Sequence, residues 1–469
     1  MKQKLISLSI IILALILRFL YLDLRPMHHD ESVHAWITLH IENYVYDPAY
    51  HGPFLYYSTN LIFKIFGTSD FTARILPVIF GILLIALVLL MRMEWRTKAL
   101  ISLYLSISPV FLYYSRFLRN DIIMAFWTLL IYFLATEYLE RGNRILIPAL
   151  FSVVSLSICT KENALITLFI FISFLLLRYP LEVLRWVREN GKLIAISLLP
   201  ALLIYFLFFS SFLAHPERAI TAIPDSLSHW FEMHRIQRLG GPFYFYFPII
   251  LLYESPVLIF SILGCIHFYR ERDERMLFFI YWFLSSFLIY SYLGEKVPWL
   301  SIHILLPAIF IAFEFLTRAS LRKSFLLIFI ILLSYTLYSS VLVNYVHPAN
   351  PKEPLVYVQT SVDVPEVVKE VKGKKIAIIS DDYWPFPWYL RDERVSYWSR
   401  TVPRSVDADY IIAKEEMEIA GYEKVRDFRL REWWIPEPRV EDLPSYLLNR
   451  EGMGEPGALW LHLYKRSGA

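Results

Sequence analysis

The feature that most constrains this chain is a succession of apolar runs long enough to cross a lipid bilayer. A spanning helix needs about 20 such residues, with a range of about 17–25. Eleven stretches meet or approach that length: 5–22, 72–91, 99–115, 121–139, 145–160, 163–178, 193–213, 246–268, 277–293, 298–316 and 324–343. All lie before residue 346. Up to that point 50 of 346 residues are charged, and beyond it 39 of 123, a rise from about 14% to about 32%. The step predicts a transmembrane domain over 1–345 and a soluble domain over 346–469.

Basic residues orient the spans, because cytoplasmic loops are enriched in Lys and Arg. With the N-terminus cytoplasmic, seventeen basic residues fall in inside loops, and each of those loops is basic. The outer loops hold far fewer, among them Arg116, Arg119, Lys161, Arg238 and Lys296. Residues 53–66 are apolar but only about 14 long. Counting them as a span would turn every later basic loop outward, so they read as a helix lying on the membrane. Residues 33–44 place Val33, Trp36, Ile37, His40, Ile41 and Tyr44 on one helical face. The first outer loop therefore carries two interfacial helices joined at His51-Gly52-Pro53.

The soluble tail follows the last span and is expected outside the membrane. Within it, Lys375–Ser380 and Ala408–Ala413 read as buried strands and Leu459–Tyr464 as a last one, with a helix at Val364–Val371. A small extracytoplasmic α/β domain is the expectation. The N-terminal apolar run reads as a retained anchor, since it has Arg18 near its far end and lacks an Ala-x-Ala-type cleavage site.

Composition narrows the function. A net charge of +3 with no basic arm argues against nucleic acid as a partner. The two cysteines, Cys159 and Cys265, are expected near opposite bilayer faces, which argues against a disulfide. No Asn-x-Ser/Thr sequon is present.

Polar motifs within an apolar chain are costly and read as candidate sites. Here they gather on the outer side: His28-His29-Asp30-Glu31, the Arg116–Asp121 stretch, Lys161-Glu162-Asn163 and Glu295-Lys296-Val297-Pro298-Trp299. A lipid-linked phosphosugar would suit that pattern, its tail in the bilayer and its head at the surface. Arg116, Arg119, Lys161 or Lys296 would neutralise the phosphate. Phosphate leaves without a general acid, so one carboxylate suffices as base toward an acceptor hydroxyl, and Asp30 or Glu31 fits that task.

These residues resemble the GT-C glycosyltransferases, specifically the dolichyl-phosphate-mannose–protein mannosyltransferase superfamily and, within it, an archaeal flippase-activity-associated subgroup. The resemblance rests on Asp30-Glu31 after the first span, the paired loop helices, and the stretches YYSRFLRND (113–121), TKEN (160–163) and GEKVPW (294–299). It covers about residues 1–345, and Tyr357–Gln359 and Trp384–Arg391 extend it into the tail. It implies a GT-C-like fold, a polyprenyl-phosphate sugar donor, inversion at the sugar carbon and Asp30 as the base, with Glu31 beside it. The related oligosaccharyltransferase branch carries Trp-Trp-Asp-Tyr-Gly. Here Trp433-Trp434 runs into Ile435-Pro436, which counts against en bloc transfer to asparagine.

Plainer readings stand beside these. Asp30 could cap the following helix, and Asp121 could be the structural partner of Arg116 and Arg119. Lys161 and Glu162 could pair with other helices. His28 and His29 read as substrate contacts, since adjacent histidines share one metal ion poorly. A divalent cation on Asp30 and Asp121 stays open as a cofactor. The non-enzymatic alternative is a flippase, or a flippase-accessory protein for lipid-linked glycans, working with glycan-assembly partners.

Overall fold

The computed structural model describes residues 1–236, 240–319, 322–399 and 406–467. Arg238, counted above among the outer basic residues, lies outside them. The chain divides into two units. One comprises Met1–Leu22 and His40–Asn344, the other Asp23–Leu39 and Tyr345–Ala469.

The first unit is helical and multi-pass. Seven of its described helices are long and apolar enough to span a bilayer: Asp70–Leu90, Asp121–Arg141, Gly191–Phe209, Tyr246–Glu271, Glu274–Tyr292, Pro298–Arg318 and Lys323–Val346. An eighth arises if Asn163–Arg178 and Pro180–Glu189, bent by 106°, count as one span. Local chemistry accounts for the difference from eleven. Lys2–Phe19 carries Lys2, Lys4 and Arg18 within 18 residues, and Leu146–Ile158 has only 13.

The expected span 99–115 is broken in two, Trp95–Ile107 and Pro109–Tyr114. Ser108 caps the second piece, its Oγ accepting from the Phe111 amide at 3.2 Å. Pro109 then stands at a first helical position, where its missing N–H costs nothing. Glu254, fully buried, ties down the break. Its carboxylate accepts from the hydroxyls of Tyr104 and Ser108 and from the Val110 amide at 3.2 Å. Helix Tyr246–Glu271 is itself kinked at Glu254, just before Pro256.

Pro298–Arg318 is the hub of this unit and is almost wholly buried, whereas Gly191–Phe209 turns most of its side chains outward. A helix that is apolar all round suits either place. Neighbours decide between them: Ile302 through Phe313 pack against Tyr246–Glu271, Glu274–Tyr292 and Trp95–Ile107.

The second unit contains a six-stranded sheet of β1 (Gln359–Thr360), β2 (Lys375–Ile379), β3 (Arg394–Trp398), β4 (Tyr410–Ala413), β5 (Tyr422–Trp434) and β6 (Pro456–Arg466). The order is β1-β5-β6-β4-β2-β3. β2 runs parallel to β3 and β4, and the β1–β5, β5–β6 and β6–β4 pairs are antiparallel. Alternation sends Ile376 and Ile378 to one face, under Val364, Val367 and Val371 of helix Asp363–Val371. Ala377 and Ile379 go to the other face with Ile411 and Tyr464. Burial on both faces is why KIAII reads as an unbroken apolar run. Helix His29–Leu39, the first of the expected loop helices, belongs to this unit. The second, Phe54–Phe66, belongs to the other.

Candidate active site

Of the ten residues singled out from the sequence, His28, His29, Asp30 and Glu31 lie in the second unit and Arg116, Arg119, Asp121, Lys161, Glu162 and Lys296 in the first.

In the second unit the helix His29–Leu39 opens with Asp30 and Glu31 in its first turn, where negative charge meets the positive end of the macrodipole. The two carboxylates have different surroundings. Glu31 is fully buried, and it accepts from the Arg25 guanidinium at 2.9 Å and from the His28 amide at 3.0 Å. Asp30 is half-buried, and its amide donates to His28 Nδ1 at 3.0 Å. Accepting that bond requires an unprotonated Nδ1. Burial of the His28 ring supplies it, pushing the imidazole down to about 4 against the opposing pull of Asp30 and Glu31. Ser32 closes the turn by donating to the His29 carbonyl at 2.6 Å.

In the first unit a cluster forms around Asp121, the first residue of helix Asp121–Arg141. Lys161 Nζ donates to Asp121 Oδ1 at 2.8 Å, and Arg119 Nε lies 3.6 Å from Oδ2. His303 Nε2 is 3.5 Å from Oδ1, its ring stacked on Tyr290. Arg119 also lies over the Trp299 ring, 3.9 Å from its centroid, in cation–π geometry.

From Arg119 the network continues to His51 Nε2 at 3.4 Å, and His51 Nδ1 meets Glu162 at 3.0 Å. Donation from Arg119 assigns the imidazole proton to Nδ1, facing the carboxylate. Burial alone would raise the Glu162 carboxyl, but His51 and a backbone hydrogen bond outweigh it and hold the group below its usual range. Gly52 makes this possible. A Cβ there would sit 2.1 Å from the Cys159 carbonyl oxygen, and the bare backbone donates to the Thr160 carbonyl at 3.2 Å. A small cavity lined by Tyr46, Lys161, Glu162, Phe209 and Ser226 opens beside the cluster.

Arg119, Asp121, Lys161 and Glu162 are thus brought together. Arg116 instead donates to the carbonyls of Leu17 and Tyr21 at 3.0 and 2.8 Å, tying down the end of the first helix. Lys296 donates to the Leu293 carbonyl at 2.8 Å. Sequence reasoning missed His51 and His303. The only signal for either was a lone histidine next to a glycine turn or on an apolar helix. Among the described residues no group of three or more His, Cys, Asp or Glu is arranged to hold a metal ion.

Comparison with known proteins agrees with this architecture. The model of the dolichyl-phosphate-mannose-protein mannosyltransferase family matches residues 50–215, which include the cluster from His51 to Glu162. An uncharacterized protein of Aquifex aeolicus is 27% identical over 293 residues, covering 59% of this chain and 56% of that protein. The chain thus spans little more than half the length of this curated relative. ArnT from Cupriavidus metallidurans shares the fold with a TM-score of 0.61 at 16% identity, over 83% of this chain and 85% of ArnT. The oligosaccharyltransferase of Archaeoglobus fulgidus gives 0.53 at 14% identity, over 85% of this chain and 64% of that enzyme. The archaeal subgroup rests on the sequence motifs alone. Over residues 50–215 the chain is thus similar to the dolichyl-phosphate-mannose-protein mannosyltransferase family, and it shares its fold with ArnT and the Archaeoglobus oligosaccharyltransferase.

Proposed function

We propose that this protein is a membrane glycosyltransferase that moves a sugar from a polyprenyl-phosphate carrier to an acceptor hydroxyl at the outer face of the membrane. The N-terminus is cytoplasmic and the domain over 346–469 extracytoplasmic, following the distribution of basic loops. The reaction is a single displacement. Asp30 takes the acceptor proton, the acceptor oxygen bonds to the anomeric carbon, and the bond to the carrier phosphate breaks with inversion.

The observation that carries this reading is the contrast between Asp30 and Glu31. One carboxylate is sealed against Arg25, and its neighbour is half-exposed on a turn pinned from both sides. A base needs such a fixed backbone and a carboxylate that an acceptor can reach. Arg119 and Lys161 offset the charge of the carrier phosphate, with Asp121 as their resting counter-ion and Glu162 holding His51 beside them. Arg116 and Lys296 support the same group, and His28 and His29 frame the base. ArnT has been crystallised bound to undecaprenyl phosphate, and the Archaeoglobus oligosaccharyltransferase AglB is known in complex with a dolichol-phosphate. Both support a polyprenyl-phosphate ligand for this chain.

Transfer from a polyprenyl-phosphate hexose by purified protein tests the proposal, with Asp30→Asn as the control. Full activity in Asp30→Asn removes the mechanism. Movement of an intact lipid-linked glycan between leaflets, with no bond cleaved, favours a flippase instead. The break at Glu254 does not argue for transport, because its carboxylate is already satisfied by three internal donors.

A further inference from the structure

Two tail segments, Tyr357–Gln359 and Trp384–Arg391, extend the family resemblance without bringing a function. In the structure both reach the stretch that carries Asp30. Gln359 donates from Nε2 to the Pro26 carbonyl at 3.1 Å. The Tyr389 hydroxyl accepts from the Met27 amide at 2.8 Å. The Trp384 ring meets His29 and Trp36 edge-on, with centroids 6.5 and 6.4 Å apart. These contacts bracket Asp30, three and four residues before it and one and six residues around it.

Each contact comes from a rigid support. Gln359 is buried in β1, opposite Glu432 of β5. Tyr389 ends the helix Phe386–Tyr389, whose Phe386 belongs to the core beneath the sheet and whose Trp388 is fully buried. A side chain held by a packed core transmits that rigidity to whatever it bonds.

We propose that Gln359, Trp384 and Tyr389 are positioning residues that hold the Asp30 turn in its working orientation, which makes the soluble domain part of the transfer machinery. This rests on Asp30 acting as the base. Preorganisation of a reacting group acts on turnover more than on binding of the remote carrier lipid. Loss of one net hydrogen bond is expected to change local opening by roughly five- to tenfold.

The test uses the full-length protein, with two readouts in parallel. Hydrogen exchange over residues 25–39 reads the clamp, and transfer kinetics with a polyprenyl-phosphate hexose read its consequence. Tyr389→Phe keeps the ring and removes the acceptor. It should speed exchange at the Met27 amide by roughly five- to tenfold and lower kcat by a similar factor, with KM for the donor unchanged. Trp384→Ala should act in the same direction and Trp384→Phe should restore most of the loss. If Trp384→Ala does not fold, Tyr389→Phe and Gln359→Met carry the test. Unchanged exchange in these variants overturns the proposal, as does a rise in donor KM that accounts for the whole loss. If exchange responds but the unmodified protein transfers no sugar, the clamp stands and the assignment of Asp30 as base falls.

Discussion

Glu31 and Arg25 form a buried ion pair, 2.9 Å between Oε2 and the guanidinium, next in sequence to the half-buried Asp30. Two adjacent acids therefore sit in opposite surroundings, and substitution should separate them. Asp30→Asn should lower transfer by at least about 100-fold, the usual contribution of a general base, with little change in melting temperature. Glu31→Gln leaves the Arg25 charge buried without its anion. It should destabilise the protein by roughly 3 kcal/mol or more, seen as a lower melting temperature before any kinetic measurement.

The Asp30 turn should loosen in acid. Folding pushes His28 down from 6.5 to about 4 through burial. Between those values the unfolded segment binds a proton that the folded one refuses, so stability falls as pH drops through that window and is constant above it. The loss amounts to roughly 3 kcal/mol at most, at about 1.4 kcal/mol per pH unit. Exchange at the Asp30 amide, followed between pH 4 and 6.5, should rise as the solution is acidified, beyond the intrinsic rate. His28→Asn, whose side-chain carbonyl can still accept, should flatten that dependence.

Arg119 should not be replaceable by lysine. Its guanidinium stacks on Trp299 while reaching both Asp121 and His51, and an ammonium cannot make all three contacts. Arg119→Lys should raise KM for the donor by a factor of about 2 to 30, the range that a lost cation–π contact of about 0.5–2 kcal/mol supplies. Titration of the carrier phosphate into both proteins checks this without turnover.

Asp121 and Lys161, both buried and 2.8 Å apart, should prove strongly coupled. Asp121→Asn alone strands a buried ammonium and should cost about 3–5 kcal/mol. Lys161→Met in the same chain should recover part of that, giving a coupling of roughly 1–3 kcal/mol in a double-mutant cycle of thermal stability.

The sequence made some of this architecture legible and hid other parts for physical reasons. β2, β4 and β6 hold dense apolar runs, and helix Asp363–Val371 shows valines spaced at helical intervals, so these stand out at once. β5 escaped because YEKVRDFRLREWW is mostly charged, and only Phe428 and Leu430, two apart, betray its buried face. Ser108-Pro109, a cap followed by a helix-starting proline, signalled the break that a length-based span count passes over. Arg119, Asp121, Lys161 and Glu162 were legible because charge in an apolar chain is expensive. His51 and His303 were not, because a single histidine is cheap to bury neutral. Nothing local in residues 23–39 could announce that they fold with the tail.

That last arrangement has a consequence for biosynthesis. Met27 and Tyr389, bonded to each other, are 362 positions apart. A ribosome emits the first partner long before the second exists, so the Asp30 strip must wait, incompletely framed, while every membrane helix is inserted. Closure over so long a separation comes last, and a nascent chain halted before Tyr389 carries Asp30 without the hydroxyl that accepts from Met27.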